Sequence, residues 1–192
     1  MNTPYHIIVK VEEAYLNNKK LNSGVEIVVN TSIEKVEYLN RQATVVGVPE
    51  GVVIKPGDIV VMHHNITRLS YDMQGDVAKS NYYLGDGLYR VPPEEIFMYK
   101  EPEGEWSALT PHCFVKPIKK EQEEVSGLIT PEGYDSYKNQ VKNTGTVAFC
   151  SGGLDFEKGD SIIFSEDSEY EFEIDGEIYY KMLEKDILAK VI

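Results

Sequence analysis

A stretch of twenty residues occurs twice in this chain in diverged form, and this repeat constrains the fold more than any other feature. Residues 43–62 read ATVVGVPEGVVIKPGDIVVM, residues 145–164 read GTVAFCSGGLDFEKGDSIIF, and the two align without a gap. Two further pairs of blocks recur in the same order, at residues 8–11 and 114–117 and at residues 89–100 and 180–191. The sequence therefore predicts two copies of one small domain, which a length of 192 residues accommodates.

The repeat also predicts where the chain divides. The first copy is expected at residues 1–103 and the second at residues 111–192, with a short linker at residues 104–110. The first copy contains an unusually long excursion at residues 63–84. Tyrosines in this excursion favour a specialised contact, because Tyr is enriched at protein interfaces.

Short apolar runs rich in Val, Ile, Tyr and Phe, separated by Gly, Pro and Asp, are typical of β-strands. Residues 169–175, EYEFEID, alternate acidic and apolar side chains, which predicts a strand with one buried and one solvent-facing side. Residues 56–58 (PGD) and 158–160 (KGD) are tight turns by residue type. Because closing short strands into a barrel removes exposed edges, the predicted fold class is all-β, with two tandem small β-barrel domains.

The chain is strongly acidic, with a formal net charge of −13. A nucleic-acid partner is not expected, because phosphate binding requires a basic face, and an anionic membrane surface would repel the chain as well. The sequence shows neither a signal peptide nor an apolar run long enough to span a membrane. These features predict a cytoplasmic protein, and a location in a virion stays open.

Candidate catalytic and metal-binding residues are sparse. Cys113 and Cys150 lie far apart in sequence and lack the spacing of metal ligands, so both are expected to be buried thiols. His63 and His64 are adjacent and are expected at an exposed loop tip; neighbouring residues of a strand would point to opposite faces, so they are not expected to share a metal ion. Because the sequence also lacks the nucleophile-elbow, dinucleotide-binding and P-loop motifs, we expect no metal, no cofactor and no enzymatic activity.

The second copy resembles the GroES family of co-chaperonins. The resemblance rests on FVKP at residues 114–117, GTV at 145–147, EKGDSIIF at 157–164 and DILA at 186–189, and the first copy matches less tightly. It implies two tandem GroES-like barrels in a co-chaperonin that caps a GroEL-type chaperonin cylinder and assists ATP-driven folding. The alternative is a non-enzymatic architectural or virion assembly protein built from the same barrels, and a phage origin is left open.

The resemblance also implies where a chaperonin would be bound. Members of the family reach their chaperonin through a mobile loop that carries a short apolar segment after glycine. The matching segment here is Gly127, Leu128, Ile129 and Thr130, inside an otherwise polar loop predicted at residues 119–144. A second docking segment is predicted in the first copy at Ile27, Val28 and Val29.

A ring-shaped homo-oligomer is the third implication of the resemblance, because in this fold the last strand of one domain pairs with the first strand of its neighbour. The end of the chain is an apolar strand that needs a partner edge. The interface is therefore predicted to consist of Ile7, Ile8 and Val9 together with Ile187, Leu188 and Val191.

Overall fold

The computed structural model describes residues 3–16, 18–20, 24–28, 35–119, 140–151 and 156–191. The chain divides into two compact units, Met1–Trp106 and Ser107–Ile192, and the division falls inside the predicted linker. Within the described ranges the chain forms β-strands and short 3₁₀ turns but no α-helix, which confirms the all-β prediction.

The first unit contains ten of the described strands. They are β1 Ile7–Lys10, β2 Asn18–Lys20, β3 Glu26–Val28, β4 Gln42–Gly47, β5 Ile59–Met62, β6 Leu69–Tyr71, β7 Val77–Lys79, β8 Tyr83–Gly85, β9 Leu88–Val91 and β10 Ile96–Lys100. The 3₁₀ turns are Val36–Tyr38, His64–Ile66 and Pro93–Glu95. Six strands lie side by side in the order β10-β5-β4-β1-β9-β8, and every neighbouring pair is antiparallel. The pairs β2–β3 and β6–β7 form separate antiparallel hairpins.

The second unit contains seven of the described strands. They are β11 Ser107–Ala108, β12 His112–Lys119, β13 Gln140–Cys150, β14 Ser161–Phe164, β15 Tyr170–Ile174, β16 Glu177–Leu183 and β17 Ile187–Lys190. One 3₁₀ turn, Glu184–Asp186, precedes β17. Six strands form an antiparallel sheet in the order β17-β14-β13-β12-β16-β15. The strand order therefore follows the same path in both units.

Positions that align in sequence also occupy the same places in the two sheets. Val9 in β1 lies opposite Val45 in β4, and Val115 in β12 lies opposite Val147 in β13. A register shift immediately precedes Val9 in the first unit and Val115 in the second. Because a shift of one residue would move every side chain to the other face of the strand, these matching irregularities preserve the same buried side.

The tight turn that precedes β5 in the first unit and β14 in the second has the same hydrogen bond in both units. The Lys55 N–H donates to the Asp58 carboxylate at 2.8 Å, and the Glu157 N–H donates to the Asp160 carboxylate at 2.8 Å. The glycine before each aspartate has a φ of +98° in the first unit and +99° in the second, a conformation that favours glycine. The turns predicted from residue type at these two places are therefore present.

Alternation along the strands produces a separate core in each unit. In β15, Phe172 and Ile174 are buried while Glu173 is exposed, as the alternating sequence predicts. The core of the second unit consists of Cys113, Val115, Val147, Ile162, Phe164, Tyr180 and Met182. In the first unit the fully buried side chains include Ile7, Val9, Val60, Met62, Ile66, Val91, Ile96 and Met98.

Candidate docking and assembly surfaces

The predicted docking segment Gly127, Leu128, Ile129 and Thr130 lies outside the described residues. The structure does define where this segment is attached. Strand β12 ends at Lys119, β13 begins at Gln140, and these two residues are cross-strand partners. The segment that contains the four residues therefore starts and ends at adjacent points of one sheet.

A buried polar contact secures this attachment point. Gln140 is only 8% exposed, and the Tyr180 hydroxyl donates a hydrogen bond to its side-chain oxygen. Burial raises the pKa of Tyr180, so its hydroxyl remains protonated as a donor. The Tyr180 ring packs edge-on against Phe164 at 6.5 Å between centroids. A buried polar group without such a partner is costly, so this contact links the start of β13 to β16, which lies on the other side of β12.

The predicted loop boundary of residues 119–144 is wrong at both described ends. Lys119 belongs to β12, and residues 140–144 belong to β13. The polar composition of residues 140–144 suggested a loop, but Thr144 pairs with Ile163 of β14 and Gln140 pairs with Lys119. Neither the Gln140–Tyr180 contact nor this pairing has a local signal in the sequence.

The first unit has a described hairpin at the equivalent place in its topology. Strands β2 and β3 lie in the connection between β1 and β4, as the docking segment lies between β12 and β13. The hairpin exposes three aliphatic side chains, with Val25 at 56%, Ile27 at 42% and Val28 at 65%. Of the predicted second docking segment, Ile27 and Val28 are therefore accessible, and Val29 lies outside the described residues.

Hydrogen bonds close the base of this connection. The Leu16 N–H donates to the Tyr38 carbonyl at 2.8 Å, and the Asn40 N–H donates to the Ala14 carbonyl at 2.9 Å. Leu39 between them is buried. The connection is thus anchored at its base while the apolar side chains of the β2–β3 hairpin face solvent.

The predicted contribution of Ile7, Ile8 and Val9 to an oligomer interface is wrong. All three side chains are buried in the core of the first unit. Their strand β1 pairs with β4 along one edge and with β9 along the other. Because both edges carry hydrogen bonds to strands of the same unit, β1 offers no edge to a second chain.

The other half of the predicted interface is accessible. Strand β17 pairs with β14 and is the last strand of its sheet among the described residues. Leu188 is 65% exposed, Val191 is also exposed, and Ile187 is partly buried against the core. Lys190 in the same strand forms an ion pair with Asp160 at 2.6 Å. This strand presents an apolar surface beside its outer edge.

The excursion at residues 63–84 is an ordered addition to the first unit. The Asp72 carboxylate accepts hydrogen bonds from the N–H groups of Gln74 and Asp76, which close the β6–β7 hairpin. Met73 at its tip is fully exposed, and Tyr71 is more than half exposed. This hairpin is a further exposed apolar surface, and the composition of the excursion indicates it only in part.

The histidine pair lies in a turn, and both residues are half-buried. His63 and His64 lie at the start of a 3₁₀ turn, and their rings stack at 4.1 Å. The His63 Nδ1 atom accepts the Asn65 N–H, and burial followed by the charges of nearby groups lowers the pKa of His64 to about 4. Among the described residues, no three His, Cys, Asp or Glu side chains are grouped closely enough to hold a metal.

Comparisons with known proteins match part of the chain to one family. A family model described as "Chaperonin 10 Kd subunit" matches residues 106–191. The Co-chaperonin GroES of Coprothermobacter proteolyticus is 32% identical over 83 residues, which cover 40% of this chain and 85% of that protein. The Co-chaperonin GroES of Porphyromonas gingivalis is 33% identical over 85 residues, which cover 42% of this chain and 92% of that protein. No described helix has the length and apolar character needed to cross a membrane.

Proposed function

This chain belongs to the co-chaperonin family of chaperonin 10 kDa subunits, and we propose that it acts as a co-chaperonin that caps a GroEL-type chaperonin and assists ATP-driven protein folding. The matched stretch spans 85% and 92% of the two relatives described above, and the family model matches residues 106–191, almost all of them in the second unit. The proposal therefore treats the second unit as the counterpart of a small co-chaperonin.

The observation that carries this proposal is the attachment of the docking segment. Leu128 and Ile129 are two aliphatic residues in a polar stretch that leaves and re-enters one sheet at the paired residues Lys119 and Gln140. Apolar side chains in such a stretch gain free energy when a partner protein removes them from water. We assign Gly127, Leu128, Ile129 and Thr130 to contact with the chaperonin.

We further propose that the first unit is a second, divergent copy of the same domain. Its six main strands follow the order of the second unit, and the β2–β3 hairpin stands in the equivalent connection. The exposed Val25, Ile27 and Val28 make this hairpin a second docking element. On this assignment one chain presents two contacts to a chaperonin, which strengthens binding through effective concentration.

Assembly into a homo-oligomer is part of the same proposal. The surface assigned to it is the outer edge of β17 with Leu188 and Val191. A partly apolar strand edge favours pairing with another chain. The proposed role requires binding and release only, and no catalytic group is assigned to it.

The test is a binding measurement with a purified GroEL-type chaperonin in the presence of ATP. Replacing both anchor residues, Leu128→Asp with Ile129→Asp, is expected to weaken binding at least tenfold for each residue, because each contributes about 1.5–3 kcal/mol when buried. The melting temperature should stay at the wild-type value. Met73→Asp is the control, since it introduces a carboxylate at a fully exposed apolar position outside the docking segment.

Two outcomes would contradict the assignment. A fall in melting temperature of the double variant would place Leu128 and Ile129 in the core. Wild-type protein that does not bind the chaperonin under any nucleotide condition would favour the alternative role, an architectural or virion assembly protein. That alternative is supported by the β6–β7 hairpin, whose exposed Met73 and Tyr71 suit a protein contact.

A further inference from the structure

Two cysteines that are distant in the sequence are direct neighbours in the second unit. Cys113 of β12 and Cys150 of β13 are cross-strand partners in an antiparallel pair. Residues in such positions have Cα atoms about 4.5–5.5 Å apart, depending on the hydrogen-bonding pattern. Both values fall within the range of about 4.4–6.8 Å that a disulfide bond spans. The backbone already has the spacing that a disulfide requires.

The side chains of the pair meet as well. Direct cross-strand partners project from the same face of a sheet, and the thiol of Cys150 forms a hydrogen bond with that of Cys113. Cys113 is fully buried in the core, whereas Cys150 is partly exposed. The pair therefore has one sulfur that a reagent can reach and one that only its partner can reach.

The accessible thiol is next to a carboxylate. The Cys150 thiol donates to a side-chain oxygen of Glu184 at 3.8 Å, and the Ser151 hydroxyl donates to the same oxygen. Glu184 is thus placed to accept the proton that Cys150 must lose before it reacts, because the thiolate is the reactive form.

We propose that Cys113 and Cys150 are an oxidation site, at which a small-molecule disulfide converts the two thiols into one intrachain disulfide bond. This site is independent of the proposed docking residues. In the first unit the aligned positions hold Ile7 and Val48, which cannot form such a bond. The proposed oxidation site is therefore present in the second unit alone.

The reaction has two exchange steps. The Cys150 thiolate attacks one sulfur of the reagent, which forms a mixed disulfide and releases one thiol. The Cys113 thiolate then attacks the sulfur of Cys150, which forms the Cys113–Cys150 bond and releases the second thiol. The protein loses two electrons and two protons, and the reagent is reduced to two thiols.

The order of the steps follows from the surroundings of the two sulfurs. The hydrogen bond with Cys150 and burial raise the pKa of the Cys113 thiol well above its ordinary value, which makes it a poor first nucleophile. Attack on a mixed disulfide at Cys150 needs no access from solvent, because the two residues are already in contact. Cys113 therefore acts as the resolving thiol.

The bond would close a covalent ring from residue 113 to residue 150, which includes the paired parts of β12 and β13. A cross-link of this kind restricts the unfolded chain. For a domain of this size the melting temperature of the second unit is expected to rise by about 10 °C or more on oxidation.

The experiment is oxidation of the full-length protein with oxidised glutathione, followed by mass spectrometry and thiol titration in denaturant. Because the chain has only two cysteines, the expected result is complete: titratable thiols fall from two to none, the mass decreases by two hydrogen atoms, and the protein stays a single chain without reductant on a denaturing gel. Reductant should restore both thiols and the original melting temperature.

Two variants keep the test specific. Cys150→Val and Cys113→Ile introduce the residues found at the aligned positions of the first unit, and each should abolish both the mass change and the thermal shift. The proposal is overturned if the wild-type protein keeps both thiols, forms disulfide-linked dimers, or stops at a glutathione adduct on Cys150. Chaperonin binding by the reduced protein is unaffected by any of these outcomes, so failure here is distinct from failure of the proposed function.

Discussion

The two units of this chain share a backbone framework but differ in what they present to solvent. Strand order, the register shift before Val9 and Val115, and the hydrogen-bonded turns at Asp58 and Asp160 are the same in both. The last main strand differs most: Phe97 in β10 is 5% exposed, and the aligned Leu188 in β17 is 65% exposed. The excursion that contains β6 and β7 is also present in the first unit only. It occupies residues 63–84, and the equivalent connection of the second unit is the short turn before β15.

This contrast shows which parts of the small β fold tolerate change. The turn hydrogen bonds involve backbone groups and one aspartate, so the intervening side chains can vary without altering the register. Edge strands and connections carry fewer such constraints, because their side chains are not held between two neighbours. The proposed docking and assembly surfaces accordingly lie at edges and in connections.

The largest expected difference between the units is at the aligned positions Phe97 and Leu188. Phe97→Ala removes a buried ring that packs edge-on against His63 at 6.0 Å, and it should lower the free energy of unfolding by about 3–5 kcal/mol. Leu188→Ala should change it by less than about 0.5 kcal/mol. Urea unfolding of both variants measures the difference.

Leu188 should instead affect assembly. Leu188→Asp is expected to shift the protein from oligomer to monomer in light scattering at equal concentration, because it places a charge on the proposed contact edge. Exposed Ile163→Asp, on the neighbouring strand β14, is the control at a position outside that edge. An unchanged oligomer in Leu188→Asp would remove β17 from the assembly model.

A smaller effect is expected where the repeat has Gly in one copy and Ala in the other. At Gly145 an added Cβ would lie 2.8 Å from the Lys116 carbonyl oxygen and even closer to Val115. Gly145→Ala should therefore destabilise the second unit by about 1–3 kcal/mol through overpacking. The aligned residue of the first unit is Ala43, which its own surroundings accommodate.

The reverse change makes this comparison sharper. Ala43→Gly should cost only about 0.5–1 kcal/mol, mainly from the added freedom of the unfolded chain. Hydrogen exchange resolved by strand reports each unit separately. Equal losses of protection for the two substitutions would contradict a difference in local packing between β4 and β13.

The smallest expected effect concerns pH. The Glu157 N–H and the Lys190 ammonium hold the pKa of Asp160 below its ordinary value of 3.8. The resulting stabilisation is present above that value and is lost as pH falls through the lowered pKa. Lys190→Gln should raise the Asp160 pKa partway towards 3.8, as followed by NMR titration. The exposed Lys185→Gln is the control, and an equal shift in both variants would rule out a specific ion pair.

Much of the framework could be predicted from the sequence because it depends on patterns that lie close together in the chain. The gapless repeat at residues 43–62 and 145–164 predicted the matching turns, and the alternation at residues 169–175 predicted the buried side of β15. Both are local consequences of strand geometry and turn chemistry. The matching order of all six main strands could not be obtained this way, since it depends on pairing between distant residues.

The failed predictions of the oligomer interface and of the loop boundary both concern long-range pairing. Ile7 to Val9 form an apolar first strand, but no local pattern shows that both of its edges are already paired. The polarity of Gln140 predicts a loop, because its contact with Tyr180, forty residues later, leaves no local signal in the sequence. The same limit hid the Cys113–Cys150 pair, because spacing along the chain does not reveal cross-strand partners.

The paired ends of β12 and β13 set a maximum reach for the docking segment. Leu128 is nine residues from Lys119, and Ile129 is eleven residues from Gln140. Nine fully extended residues span at most about 32 Å. Any groove that receives Leu128 must therefore come within about 32 Å of the end of β12, whatever conformation the segment adopts. The sheet thus limits how far from the domain a partner can be engaged, and shortening the tether between Lys119 and Leu128 would reduce that radius residue by residue.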